Sequence, residues 1–238
     1  MAKERLDKLI ASTGRWSRRE VKTLVREGRV LVDGRIAGSA EEKYDAESCR
    51  IAVNGEELLL RRHTYVMLHK PAGVLSATED GRGRTVLDLL TPELRKIGVF
   101  PVGRLDKDTE GLLLLTDDGE LAHALLSPKK HVDKVYYARV SGRLTPEDCA
   151  AFEAGMTLGD GLECLPAELE ILAAGETSEC LVTLREGKFH QVKRMLAARG
   201  KPVTYLKRLS MGSLRLDDTL APGEFRLLTA AEEAQLQR

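Results

Sequence analysis

Pro101 to Gly119 reads P-V-G-R-L-D-K-D-T-E-G-L-L-L-L-T-D-D-G, and this stretch decides the fold. Leu112 to Leu115 form an apolar run too short for a helix and bounded by polar and turn residues, which is the pattern of a buried strand. Asp117, Asp118 and Gly119 close it with side chains that tolerate a tight reversal. Ahead of the strand stands a dense polar cluster: Arg104, Asp106, Lys107, Asp108, Thr109 and Glu110. A polar loop leading into a core strand is where a rigid scaffold holds reactive groups. Asp106 is singled out because Arg104, two residues away, offers a cation to keep it ionised. For a lone Asp, a turn cap or a surface ion pair is the commoner role. Asp108, as a loop residue, is expected to point away from Asp106.

Downstream, Glu120 to Leu126 is expected to be a helix stopped by Ser127-Pro128, and Lys134 to Val140 a strand carrying Tyr136 and Tyr137. Thr145 caps a helix with Pro146 in its first turn. Leu162 to Leu172 and Glu179 to Leu184 read as further strands. The run from Leu184, L-R-E-G-K-F-H-Q-V-K-R-M, makes a turn at Glu186-Gly187-Lys188 and a basic amphipathic helix from His190 to Ala198. Gly212, Leu214 and Phe225 to Leu228 read as closing strands, before a short helix capped by Thr229.

Upstream, Thr64 to Leu68 reads as a strand, and His69-Lys70-Pro71-Ala72-Gly73 as a loop whose proline ends pairing. The Gly-rich segment from Thr78 to Arg84 lacks the G-x-x-x-x-G-K-[ST] pattern, so a nucleotide-phosphate loop is rejected. At the start of the chain, Leu6, Leu9 and Ile10 share a helical face that ends by Gly14. Ser17 and Glu20 form a capping-box pattern for a second helix, which Gly28 ends. Val30 to Val32 and Arg50 to Val53 read as strands, with Asp33-Gly34 and Asn54-Gly55 as turns. Arg61-Arg62-His63 reads as a linker, giving domains at 1–60 and 64–238.

The chain of 238 residues carries 37 basic and 37 acidic side chains, so net charge says nothing about partners. Distribution does. Lys3 to Arg35 holds ten basic and five acidic residues, and Val182 to Arg208 eight basic and one acidic. Two basic patches on a neutral chain suggest an extended polyanion, although charge runs are usually solvated faces. The four cysteines form no C-x-x-C pair, which argues against zinc or a disulfide framework. With no apolar leader and no apolar run near the ~20 residues of a bilayer span, the expectation is a cytoplasmic protein.

The run G-R-L-D-K-D-T-E-G-L-L-L-L-T resembles the signature of pseudouridine synthases of the RsuA/RluB/RluE/RluF type. Further matches are Lys70-Pro71 with Gly73, Lys134-Val135-Tyr136, and the H-Q-V-K-R stretch at His190. The helix–helix–hairpin segment resembles the small RNA-binding module named after ribosomal protein S-four. The resemblance implies an α+β fold: that small module, followed by a catalytic domain with a mixed, largely antiparallel sheet. It also implies Asp106 as nucleophile, Tyr136 stacking on the target base, and Lys193 or Arg194 pairing with Asp106, with Lys193 favoured. Arg104 would hold the nucleotide, and Arg15, Arg18, Arg19, Lys22 and Arg26 would face RNA phosphates.

Isomerising uridine to pseudouridine needs no cofactor or metal, and none is expected. The implied partner is ribosomal RNA or a subunit assembly intermediate. The wording F-P-V-G-R-L-D leans towards the small-subunit branch, with a large-subunit target as runner-up. A non-catalytic RNA-binding assembly factor and a nucleoside glycosidase are the readings from other classes. The second would need two carboxylates flanking the scissile bond.

Overall fold

The structure is a computed structural model and describes residues 3–46, 48–127 and 130–236. Pro128, expected to stop a helix, lies outside them. The chain divides into two compact units, Met1–Thr64 with Leu90–Val99, and Tyr65–Leu89 with Phe100–Arg238. The segment Leu90–Val99, which the sequence reading leaves inside 64–238, therefore groups with the first unit. It carries an unexpected helix, Pro92–Ile97.

In the first unit, helices Leu6–Ala11 and Arg18–Arg26 pack on an antiparallel four-stranded sheet among the described residues, ordered Arg35–Ile36, Val30–Val32, Ile51–Val53, Glu56–Glu57. The second helix begins at the expected capping box: Glu20 N–H donates to Ser17 Oγ, and Ser17 N–H to the Glu20 carboxylate. Leu6, Ile10, Val21, Val30 and Ile51 are fully buried between the layers. Gly14 does more than end a helix. A Cβ there would collide with the backbone of Glu93.

The second unit is built on a sheet whose main path runs Glu168–Ala173, Thr177–Leu184, Lys134–Ser141, Val203–Met211, Glu110–Thr116, Tyr65–Lys70, Phe225–Leu227. Neighbours are antiparallel except Val203–Met211 beside Glu110–Thr116, which are parallel. The sheet is thus mixed and largely antiparallel, and the fold α+β, as expected.

Leu112 to Leu115 have no exposed surface. Alternation sends successive side chains to opposite faces of a strand, so a strand buried at every position must be covered on both. Leu112 and Leu114 pack with Ala122 and Leu125 of the helix Gly119–Leu126. A separate core joins Val140, Phe152, Val182 and Met195, drawn in part from the helices Pro146–Ala154 and Gln191–Ala198.

Three local expectations are corrected. The strand starting near Thr64 runs on through His69 to a fully buried Lys70. The strand expected over Leu162 to Leu172 is two strands, Glu163–Cys164 and Glu168–Ala173, separated around Pro166, which has no N–H for a ladder. Val203–Met211 is a long inner strand that the sequence reading absorbed into a basic patch. Its Arg208 is 2 % exposed and donates to the Leu112 carbonyl at 2.8 Å, so it adds nothing to a surface charge.

Candidate active site

The loop ahead of Glu110–Thr116 is fixed by its backbone before any side chain in it is considered. Ser76 Oγ donates to the Leu105 carbonyl at 3.0 Å and accepts from Leu105 N–H at 3.1 Å. Lys70 Nζ donates to the carbonyls of Pro71, Asp106, Lys107 and Thr109 at 2.8 to 3.3 Å. Asp106 therefore stands between two anchored stretches of main chain. A preorganised loop of this kind spends no free energy ordering itself when a ligand arrives.

The Asp106 carboxylate meets the helix Gln191–Ala198. Lys193 Nζ lies 3.1 Å from Oδ2, and His190 Nε2 lies 3.4 Å from Oδ1. Lys193 also reaches Asp108 at 2.6 Å. The Asp106 and Lys193 side chains are 24 % and 21 % exposed, so water screens this pair less than it would a surface pair. Burial works against the Lys193 charge, but hydrogen bonds to Asp108 and Asp106 outweigh it and hold the ammonium above its ordinary range. The same bond from Lys193 keeps Asp108 below the usual carboxylate range.

A cavity of about 70 Å³ opens beside the carboxylate, lined by Arg104, Asp106, Thr109, Tyr136, Lys188 and His190 among others. Tyr136 reaches it from the strand Lys134–Ser141, in register with Val182 on one side and Arg208 on the other. It also packs against the neighbouring apolar core. Larger clefts of about 430 and 400 Å³ border Glu168 and Thr183 and contain no comparable carboxylate–ammonium pair.

The structure brings Asp106, Tyr136, Lys193 and Arg104 to one place. Arg194 turns instead to Asp160 at 2.5 Å. Lys193, favoured as the partner of Asp106, pairs with it, whereas Arg104, the cation nearest in sequence, makes no ion pair with it. One expectation fails here. Asp108 does not stand apart from Asp106, because the two carboxylates share Lys193.

In the first unit, most of the expected basic face has internal partners. Arg15 forms a two-pronged pair with Glu56 at 2.8 and 2.6 Å. Arg18 holds the buried Asp7 at 3.1 Å, and Lys22 reaches Glu41 at 3.3 Å. Arg26 donates to Thr23 Oγ1 at 3.2 Å. Arg19 lies on the same helix, and its side chain is exposed.

Sequence reasoning missed Lys70, Ser76 and His190 as site residues. The signal for Lys70 was a lysine at the end of an apolar strand, directly before a proline.

A family model described as S4 domain matches residues 4–48, and one described as RNA pseudouridylate synthase matches residues 64–198. The chain belongs to the RNA pseudouridylate synthase family. Similar relatives span nearly its whole length. An uncharacterized RNA pseudouridine synthase of Bacillus subtilis is 50% identical, covering 96% of each chain. A ribosomal small subunit pseudouridine synthase A of Vibrio cholerae is 40% identical, covering 98% of this chain and 99% of that one. A ribosomal large subunit pseudouridine synthase B of Bacillus subtilis is 39% identical, covering 98% and 96%. Among solved structures, a crystal structure of a pseudouridylate synthase, 35% identical, superposes with a TM-score of 0.68 over 98% of this chain.

As a pseudouridine synthase with an S4 domain, the protein is an isomerase acting on RNA. Among the described residues no cluster of His, Cys, Asp or Glu is arranged to hold a metal, and no helix is long and apolar enough to cross a membrane.

Proposed function

We propose that this pseudouridine synthase converts one uridine of small-subunit ribosomal RNA to pseudouridine in the cytoplasm, with Asp106 as the reactive carboxylate. The observation that carries the reading is the Asp106–Lys193 pair, 3.1 Å apart at the mouth of a cavity that Tyr136 lines. The reaction breaks the bond from ribose to the uracil nitrogen and forms one from ribose to carbon-5. The C5 proton is exchanged for one at nitrogen, so the change is balanced within the nucleoside.

Lys193 sets a counter-charge 3.1 Å from the Asp106 carboxylate, and that carboxylate acts as the nucleophile. The target leaves its stack, at a cost of roughly a few kcal/mol, and its uracil stacks on Tyr136. Arg104 holds the displaced backbone. Arg19, Arg26 and, by exchanging carboxylates for phosphates, Arg15, Arg18 and Lys22 bind RNA through the first unit. Such contacts offset the unstacking cost and help select the substrate, whether naked rRNA or a subunit assembly intermediate.

A large-subunit target is the second reading, supported by a large-subunit relative almost as similar as the small-subunit one. Mapping rRNA pseudouridines in cells lacking the protein, complemented with wild type or Asp106→Asn, tests the assignment. A small-subunit site restored by wild type alone supports it. A large-subunit site restored instead moves the target, and restoration by Asp106→Asn refutes the role of the carboxylate.

A further inference from the structure

Phe189 is 74 % exposed, an uneconomical position for a phenyl ring beside a polar cavity. Its inner face is covered by the imidazole of His190, with ring centroids 3.8 Å apart and planes inclined by 19°. His190 in turn brings Nε2 to 3.4 Å from the Asp106 carboxylate and lines the cavity. The backbone bends to allow this. His190 has φ 51° and ψ 31° at the start of the helix Gln191–Ala198, a left-handed conformation that few non-glycine residues adopt. A two-ring stack thus runs from solvent to the carboxylate, and its outermost face is bare.

From this arrangement we infer that Phe189 is a stacking platform for an unpaired nucleobase next to the target uridine. The inference rests on the proposed function and deepens it. When a uridine swings out, its neighbour loses a stacking partner, and an aromatic face beside the site of departure replaces it. Base–aromatic stacking tolerates any base, because every base has a π-face. The surroundings favour RNA over an apolar protein partner. Lys188 and His190 flank the ring in sequence, Arg185 precedes it by four residues, and Lys193 and Arg194 follow in the adjoining helix.

Phe189 touches no reacting atom in this account; it is a positioning residue. Its contact is the same before and during the chemistry, so losing it weakens binding without slowing the bound complex. The test uses full-length protein and rRNA purified from cells lacking it, comparing wild type with Phe189→Ala, Phe189→Leu and Phe189→Trp. Loss of one base stack corresponds to about a tenfold rise in KM for both Ala and Leu, with kcat within about twofold of wild type, and Trp restores KM. Ultraviolet cross-linking of wild type should join the peptide containing Phe189 to a nucleotide flanking the modified uridine.

Should Leu bind as tightly as Phe, the ring's π-face is irrelevant and the inference is overturned; a cross-link confined to distant nucleotides overturns it too. If wild type forms no pseudouridine on this rRNA, the proposed function fails first. That outcome is distinguishable, because it appears without any change at position 189.

Discussion

Lys70 Nζ donates to the backbone carbonyl of Asp106 at 3.1 Å, while Lys193 Nζ meets the Asp106 carboxylate at the same distance. One lysine holds the main chain of Asp106 and another holds its side chain. Lys70 has no exposed surface. Burial pushes its pKa down to about 8, against the pull of Asp108, Asp106 and Glu110. Three further carbonyls hold the ammonium in place.

Lys70→Met keeps most of the aliphatic side chain and removes the ammonium that donates to all four carbonyls. Buried carbonyls left without partners are costly, so the variant is expected to lose on the order of 3 kcal/mol in denaturant unfolding. Any folded fraction should also turn over more slowly, because the loop 106–109 loses its anchor.

The same lysine sets a pH dependence of stability. Its folded pKa, about 8, lies below the ordinary 10.5, so the folded state binds fewer protons than the unfolded chain between those values. The charged lysine therefore costs stability in full below about pH 8. That cost is relieved as pH rises toward 10.5, by up to about 3 kcal/mol. Urea unfolding from pH 7.5 to 10 should show this upward contribution in wild type and not in Lys70→Met. Equal slopes would refute it.

Lys193 and Arg194 are adjacent in sequence and differ in role. Lys193→Met removes the cation facing Asp106 and is expected to lower kcat by about 10²- to 10³-fold. Arg194→Met breaks a pair with the exposed Asp160 and should change kcat by less than about tenfold. Equal losses would contradict the assignment.

Gly111 is the second residue of the strand that follows the loop 106–109, with φ 104°, and a Cβ there would drive into the backbone of Arg208 on the parallel neighbour. Gly111→Ala is expected to cost roughly 3 kcal/mol or more, from backbone strain and steric overlap together. Gly119→Ala, where a Cβ meets nothing within 4 Å, is the control, and thermal unfolding compares them.

Much of this molecule was legible because local chemistry and global fold agree. The run Leu112 to Leu115 could only be a strand covered on both faces. Ser17 with Glu20, and the Asp33-Gly34 and Asn54-Gly55 pairs, specify a cap and two turns through positive φ and side-chain acceptors. What escaped was set by distant partners. Lys70 reads as loop because three of its four stabilising carbonyls belong to residues beyond position 100. Arg208 reads as surface charge because nothing nearby in sequence announces the Leu112 carbonyl. Local spacing offers only Arg104 as a cation for Asp106; Lys193, which pairs with it, is legible only through the resemblance of the His190 stretch, because that helix lies far downstream.

The central claim, that the Asp106 carboxylate does the chemistry, is tested most directly by tritium release. Forming the new bond at carbon-5 displaces the hydrogen there, so rRNA labelled with tritium at uridine C5 reports each turnover. Purified wild type should release about one tritium per rRNA, while Asp106→Asn, binding the same rRNA equally well, should release it at least about 10³-fold more slowly. Release by Asp106→Asn at a rate near that of wild type would contradict the account.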